Sequence, residues 1–198
     1  MEKPPAFTLD LYADQSLGKD IVKGILSTIF FHRIFPPIKP TTRDLLDLTL
    51  PYVDDPELLS QIDEKASALI RSIENTGSGS SSGQIAVQFF ERRTPAPTKR
   101  INIWFASKAE QEVCWEQWMI NVTLVNPRTD AERARIRRTM ETNLQKAVMQ
   151  IISNTTYHRD HIPPIITSDK NPFPYHIIVQ PKGDTWTSMM GIMPTWGA

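Results

Sequence analysis

Trp118, Ile120, Val122 and Leu124 alternate with Met119, Asn121 and Thr123, so Val113–Leu124 reads as a long strand with one apolar face. Gln84–Glu91 repeats the pattern with Ile85, Val87 and Phe89 on one face. The two segments suggest a long antiparallel ribbon, and its apolar face has to be covered by another layer. Cys114 shares the parity of Trp118 and Ile120 and is expected there as a small buried hydrophobe. The connection from Arg92 to Glu112 is far longer than the 2–5 residues of a plain hairpin loop, and long loops often carry function.

The covering layer is visible as three helical periods. Leu17, Ile21, Val22, Ile25, Leu26, Ile29 and Phe30 form one helix face. That helix is predicted to end near Phe31–Arg33, because Pro36-Pro37 cannot continue it. Gly24 within it marks close packing. Asp55 as N-cap and Pro56 at the first helical position start a second helix, carried on by Leu59, Ile62, Ala66, Leu69, Ile70 and Ile73. Thr129-Asp-Ala-Glu132 is a capping box that opens the longest helix, to about Asn154. Its apolar face is read as Ile136, Met140, Leu144, Ala147, Val148, Ile151 and Ile152.

Phe7, Leu9 and Leu11 alternate with Thr8, Asp10 and Tyr12 as a first strand, and Tyr175–Val179 reads as a last strand. Residues 34–46 read as a loop, followed by a short strand at Leu46, Leu48 and Leu50. Thr76–Gly83 is a flexible Ser/Gly linker by composition, natural or engineered. The expected fold is α+β, with three helices packed on a largely antiparallel β-sheet. The whole chain, 1–198, is expected to form one domain, with a long loop at 92–112 and a short tail at 181–198.

Composition narrows the function. The 198 residues carry 22 basic and 22 acidic side chains, a formal net charge of zero, which argues against binding nucleic acid by general electrostatics. Only 8 glycines are present, and Gly77, Gly79 and Gly83 fall in the linker, so few remain for phosphate-cradling loops. Cys114 is the single cysteine, which excludes an internal disulfide and points to a reducing, cytoplasmic setting. No run of about 18 apolar residues marks a transmembrane segment. No cofactor motif and no catalytic motif is found, so the chain is expected not to be an enzyme. His158 and His161 are three apart, a spacing a metal accepts. Their place just past a predicted helix end is better explained by the helix dipole, and His32 is read the same way.

Three segments remain as candidate interaction sites. In the long connection, Trp104 and Phe105 follow Ile101-Asn-Ile and the basic Arg92, Arg93, Lys99 and Arg100. Periodicity leaves two readings even: an exposed aromatic anchor, or an added strand with Trp104 pointing out. Proximity to an anionic membrane surface is a weaker third, because Glu110 and Glu112 follow. On the longest helix, Arg135, Arg138, Thr142 and Met149 fall opposite the apolar stripe. Most such faces are simply solvated, and Met149 is the hint of a partner. The Met/Trp-rich tail is the third segment.

Phe7–Leu11 with the helix ending Ile29-Phe-Phe-His32-Arg33, and Leu48-Thr-Leu-Pro-Tyr-Val53 running into Asp55–Ile73, resemble the family of autophagy-related protein 101. So do Trp115-Glu-Gln-Trp118 with its following helix, His161-Ile-Pro-Pro and Tyr175–Gln180. The resemblance implies a HORMA domain and a non-enzymatic scaffold of the autophagy-initiation kinase complex at the preautophagosomal structure. It also implies pairing with the HORMA domain of autophagy-related protein 13, and a "WF finger" that recruits downstream factors. Trp104 and Phe105 match the finger by position, although they are adjacent where the family motif has an intervening proline. By analogy with HORMA dimers, the dimer contact falls on Arg135, Arg138, Thr142 and Met149. The rival implication is a HORMA adaptor of a checkpoint or DNA-repair pathway that clamps a peptide.

Overall fold

A computed structural model describes residues 3–35, 39–75, 82–93, 111–165 and 172–181. The elements run β1 (Ala6–Asp14), α1 (Gly18–Arg33), β2 (Pro40–Leu45), β3 (Leu48–Val53), α2 (Pro56–Asn75), β4 (Ser82–Arg93), β5 (Gln111–Val125), α3 (Asp130–Tyr157) and β6 (Tyr175–Val179). The expected long ribbon is β4 paired antiparallel with β5. β6 extends it antiparallel along β4, while β1 runs parallel to β5, giving the order β1-β5-β4-β6. Among the described residues the fold is α+β, with three helices and a mixed, mostly antiparallel sheet.

Alternation along the ribbon sends Ile85, Val87, Phe89, Trp118, Ile120 and Val122 to one face, where all are buried. β1 adds Leu9, Leu11 and Ala13 to that face, in register with Ile120, Val122 and Leu124. α1 crosses it at the centre, with the Phe30 ring 5.5 Å from Phe89 and 4.7 Å from Tyr175. Its opposite side meets the β2–β3 hairpin, which explains why α1 is buried nearly all round. Gly24 makes this approach workable, since a Cβ there would lie 2.7 Å from Leu45 and 3.0 Å from Leu50. Each fully buried Ile, Leu or Phe of α1 contributes about 1.5–3 kcal/mol of transfer free energy.

α2 flanks α1 on the β6 side, where Lys19 and Lys23 of α1 both reach Asp63. α3 flanks it on the β1 side and also closes the β1 edge of the sheet. The Tyr12 amide donates to Asn143 Oδ1 (2.9 Å), Asn143 Nδ2 to the Asp10 carbonyl (3.1 Å) and Gln150 Nε2 to the Thr8 carbonyl (3.0 Å). Side chains of a helix thus occupy backbone groups that a free edge strand would offer to another chain.

Four expectations are corrected. The stretch read as a loop over 34–46 contains β2, and the turn falls at Leu46, which adopts φ 51°. Pro-Thr-Thr-Arg-Asp-Leu lacks the alternation that marks a strand, yet it pairs with β3 from Pro40↔Val53 to Leu45↔Leu48. The Ser/Gly stretch loses its last two residues to β4, where Gly83 faces Val122; a Cβ on Gly83 would come within 2.6 Å of Ile73. Cys114 leaves the core face because a bulge shifts the register between Phe89 and Phe90: Phe89 opposes Glu116, Phe90 opposes Cys114, and Trp115 turns inward. Ile152, assigned to the apolar face of α3, is exposed.

Candidate functional site

Trp104, Phe105 and the Met/Trp-rich tail lie outside the described residues, so the geometry concerns α3 and the buried ends of the helices. The α3 cap forms as expected: Thr129 Oγ1 accepts from the Glu132 amide at 3.2 Å. The returning Glu132 carboxylate accepts from the Arg128 amide at 2.9 Å, one residue earlier than in the usual reciprocal box. From this start the core side of α3 is Ile136, Met140, Leu144, Ala147 and Ile151.

The opposite side is a stripe at alternating three- and four-residue steps: Arg135, Arg138, Thr142, Gln145, Met149 and Ile152, all exposed. Met149 is 56% exposed and Ile152 38%. Of the four large hydrophobics exposed among the described residues (Met149, Ile152, Tyr157, Ile165), three sit on α3, which makes this helix the place to look for a partner. The Thr142 hydroxyl donates to the Arg138 carbonyl at 3.1 Å and is occupied by its own helix. The four residues singled out by sequence therefore lie together on one solvent-facing stripe, and Ile152 extends it.

A second cluster was not anticipated. Glu116 has a fully buried side chain on the core face of β5 and is satisfied from three directions. Arg33 Nε, at the end of α1, donates to both carboxylate oxygens at 2.8 and 2.9 Å. The Trp118 indole donates at 2.6 Å. His161 Nε2 lies 2.7 Å from Oε2 and donates to it, since an ionised carboxylate only accepts. The Arg33 guanidinium also reaches the carbonyls of His32 and His158, both at 3.3 Å, and so sits at the C-terminal ends of α1 and α3, where a cation is favoured. Burial by itself pushes the Glu116 carboxyl up. Hydrogen bonds from His161 and Arg33, the Arg33 charge and the Trp118 indole outweigh it and hold the group below the ordinary carboxylate value. This is an internal, compensated ion cluster that ties β5, both helix ends and the segment after α3.

The histidines are placed by it. His161 serves Glu116 and not the helix dipole. His158 caps α3, its amide donating to Asn154 and its ring 5.5 Å from Phe7. His32 is half-buried, and burial together with the adjacent Arg33 charge pushes its imidazole down, so the cation at the end of α1 is Arg33. The Cys114 thiol is pushed up to about 11 by burial, with the nearby Glu116 carboxylate adding to the rise, which removes thiolate character at neutral pH. No group of three or more His, Cys, Asp or Glu among the described residues is placed to hold a metal ion. No helix among them is long and apolar enough to cross a membrane.

Among the described residues α3 presents an exposed stripe, and the class of protein is an α+β fold with three helices on a mostly antiparallel sheet. The family model for autophagy-related protein 101 matches residues 10–169. The chain belongs to that family. It is 27% identical to autophagy-related protein 101 of Schizosaccharomyces pombe over 183 residues, covering 92% of this chain and 91% of the relative. It is 29% identical to autophagy-related protein 101 of Arabidopsis thaliana over 187 residues, covering 84% and 82%.

Proposed function

We propose that this chain is a non-enzymatic scaffold of autophagy initiation, built as a HORMA domain that pairs with the HORMA domain of autophagy-related protein 13. The pairing surface is the outer face of α3, at Arg135, Arg138, Thr142 and Met149, now joined by Ile152. The observation that carries this reading is the stripe itself: apolar Met149 and Ile152 stand exposed toward one end of it and Arg135 and Arg138 toward the other, on a helix whose opposite side faces the core. Family membership supports the autophagy setting and a place in the initiation kinase complex at the preautophagosomal structure. Trp104 and Phe105 form the finger that recruits downstream factors.

The two surfaces separate experimentally. Replacing Trp104 and Phe105 with Ala leaves the protein-13 heterodimer intact in a pull-down and impairs recruitment of downstream factors in cells. Loss of folding or of the heterodimer in that variant would sink the finger assignment.

A further inference from the structure

The α3 stripe is chemically split. Arg135 and Arg138 lie at one end, Met149 and Ile152 at the other, and the ends are about 25 Å apart at ~1.5 Å per residue. Among the described residues neither arginine makes an ion pair, whereas the flanking Arg137 is paired with Glu141 at 2.9 Å. No carboxylate lies in the stripe itself.

Two copies of this face cannot satisfy each other. Laid antiparallel about the midpoint between Thr142 and Gln145, the stripe sets Arg135 against Ile152 and Arg138 against Met149. Laid parallel, it sets each arginine against its own copy. Either way a guanidinium loses water without gaining a carboxylate, which is costly. Resting on the reading of this face as the dimer contact, we infer that Arg135 and Arg138 select against a second copy of the chain. They require instead a partner protein that sets carboxylates over them and apolar side chains over Met149 and Ile152. The arginines thereby make the contact heterologous and fix the direction in which the partner lies along α3.

Two measurements on the full chain decide this. In sedimentation velocity the wild type is a monomer, while Arg135→Leu/Arg138→Leu dimerises, its self-affinity rising roughly tenfold or more. Adding Met149→Ser/Ile152→Ser to the leucine variant restores the monomer. A leucine variant that stays monomeric, or a wild type that dimerises through this face, overturns the inference. In a titration with the HORMA domain of protein 13, Arg135→Glu/Arg138→Glu weakens binding roughly tenfold or more. Unchanged binding overturns the inference and leaves the partner standing. Absence of binding by the wild type overturns the proposed partner, and the self-association arm still decides the inference.

Discussion

At the scale of the residue, a carboxylate deprived of water survives in the interior only if the protein replaces its hydration. Glu116 obtains that from Arg33, Trp118 and His161. Removing one member of such a set leaves the others uncompensated. Glu116→Gln is therefore expected to cost about 3–5 kcal/mol in denaturant unfolding at neutral pH. The folded-state value of Glu116 is depressed, so its contribution is complete above its ordinary value of 4.5 and fades as pH falls through the lower folded value. Asp63, held down by hydrogen bonds from Lys23 and Lys19, titrates in the same region, so the readout is the difference between wild type and variant. That difference closes on acidification; a gap as wide at roughly pH 3 as at neutrality contradicts the linkage. The cluster had a trace in the sequence. Glu116 shares the strand parity of Trp118 and Ile120, and Arg33 continues the helical row of Val22 and Ile29. Each alone reads as a surface charge at an element end, and only the fold brings positions 83 residues apart into contact.

Among elements, α3 does two jobs because it has two used sides. Its core stripe packs on α1, and Asn143 and Gln150 beside that stripe close the edge of β1. Asn143→Ala removes both bonds to the β1 backbone and is expected to destabilise the protein by about 1–3 kcal/mol. The same change speeds hydrogen exchange at the Tyr12 amide; exchange as slow as in the wild type refutes the edge-closing role. Most elements were legible because burial imposes a period: α1 and α2 from their apolar faces, β4 and β5 from alternation, α3 from its cap. What was not legible follows from contacts between elements. β2 is polar and exists through pairing with β3, helped by Arg43 lying 5.1 Å over the Tyr52 ring. A bulge inverted Cys114. Ile152 follows Ile151 by about 100° of helix turn, so only one of the two faces the core. The stripe was legible through Met149, a large apolar residue on the wrong side of its own helix.

For the molecule as a whole, the layers leave little freedom for α3. One sheet edge is closed by α3, the sheet's core face is filled by α1, and the hairpin covers α1 from behind. The outer stripe of α3 is the exposed side of that helix, and we propose that it takes the HORMA domain of protein 13. Isothermal titration calorimetry of the full chain with that domain tests this most directly, comparing the wild type with Met149→Asp/Ile152→Asp. Both substitutions are at exposed positions, so thermal unfolding should be nearly unchanged. This pairing predicts binding by the wild type and a loss of about a hundredfold or more in the variant, as when charge enters the apolar part of a contact. Equal affinity of the two proteins would contradict it.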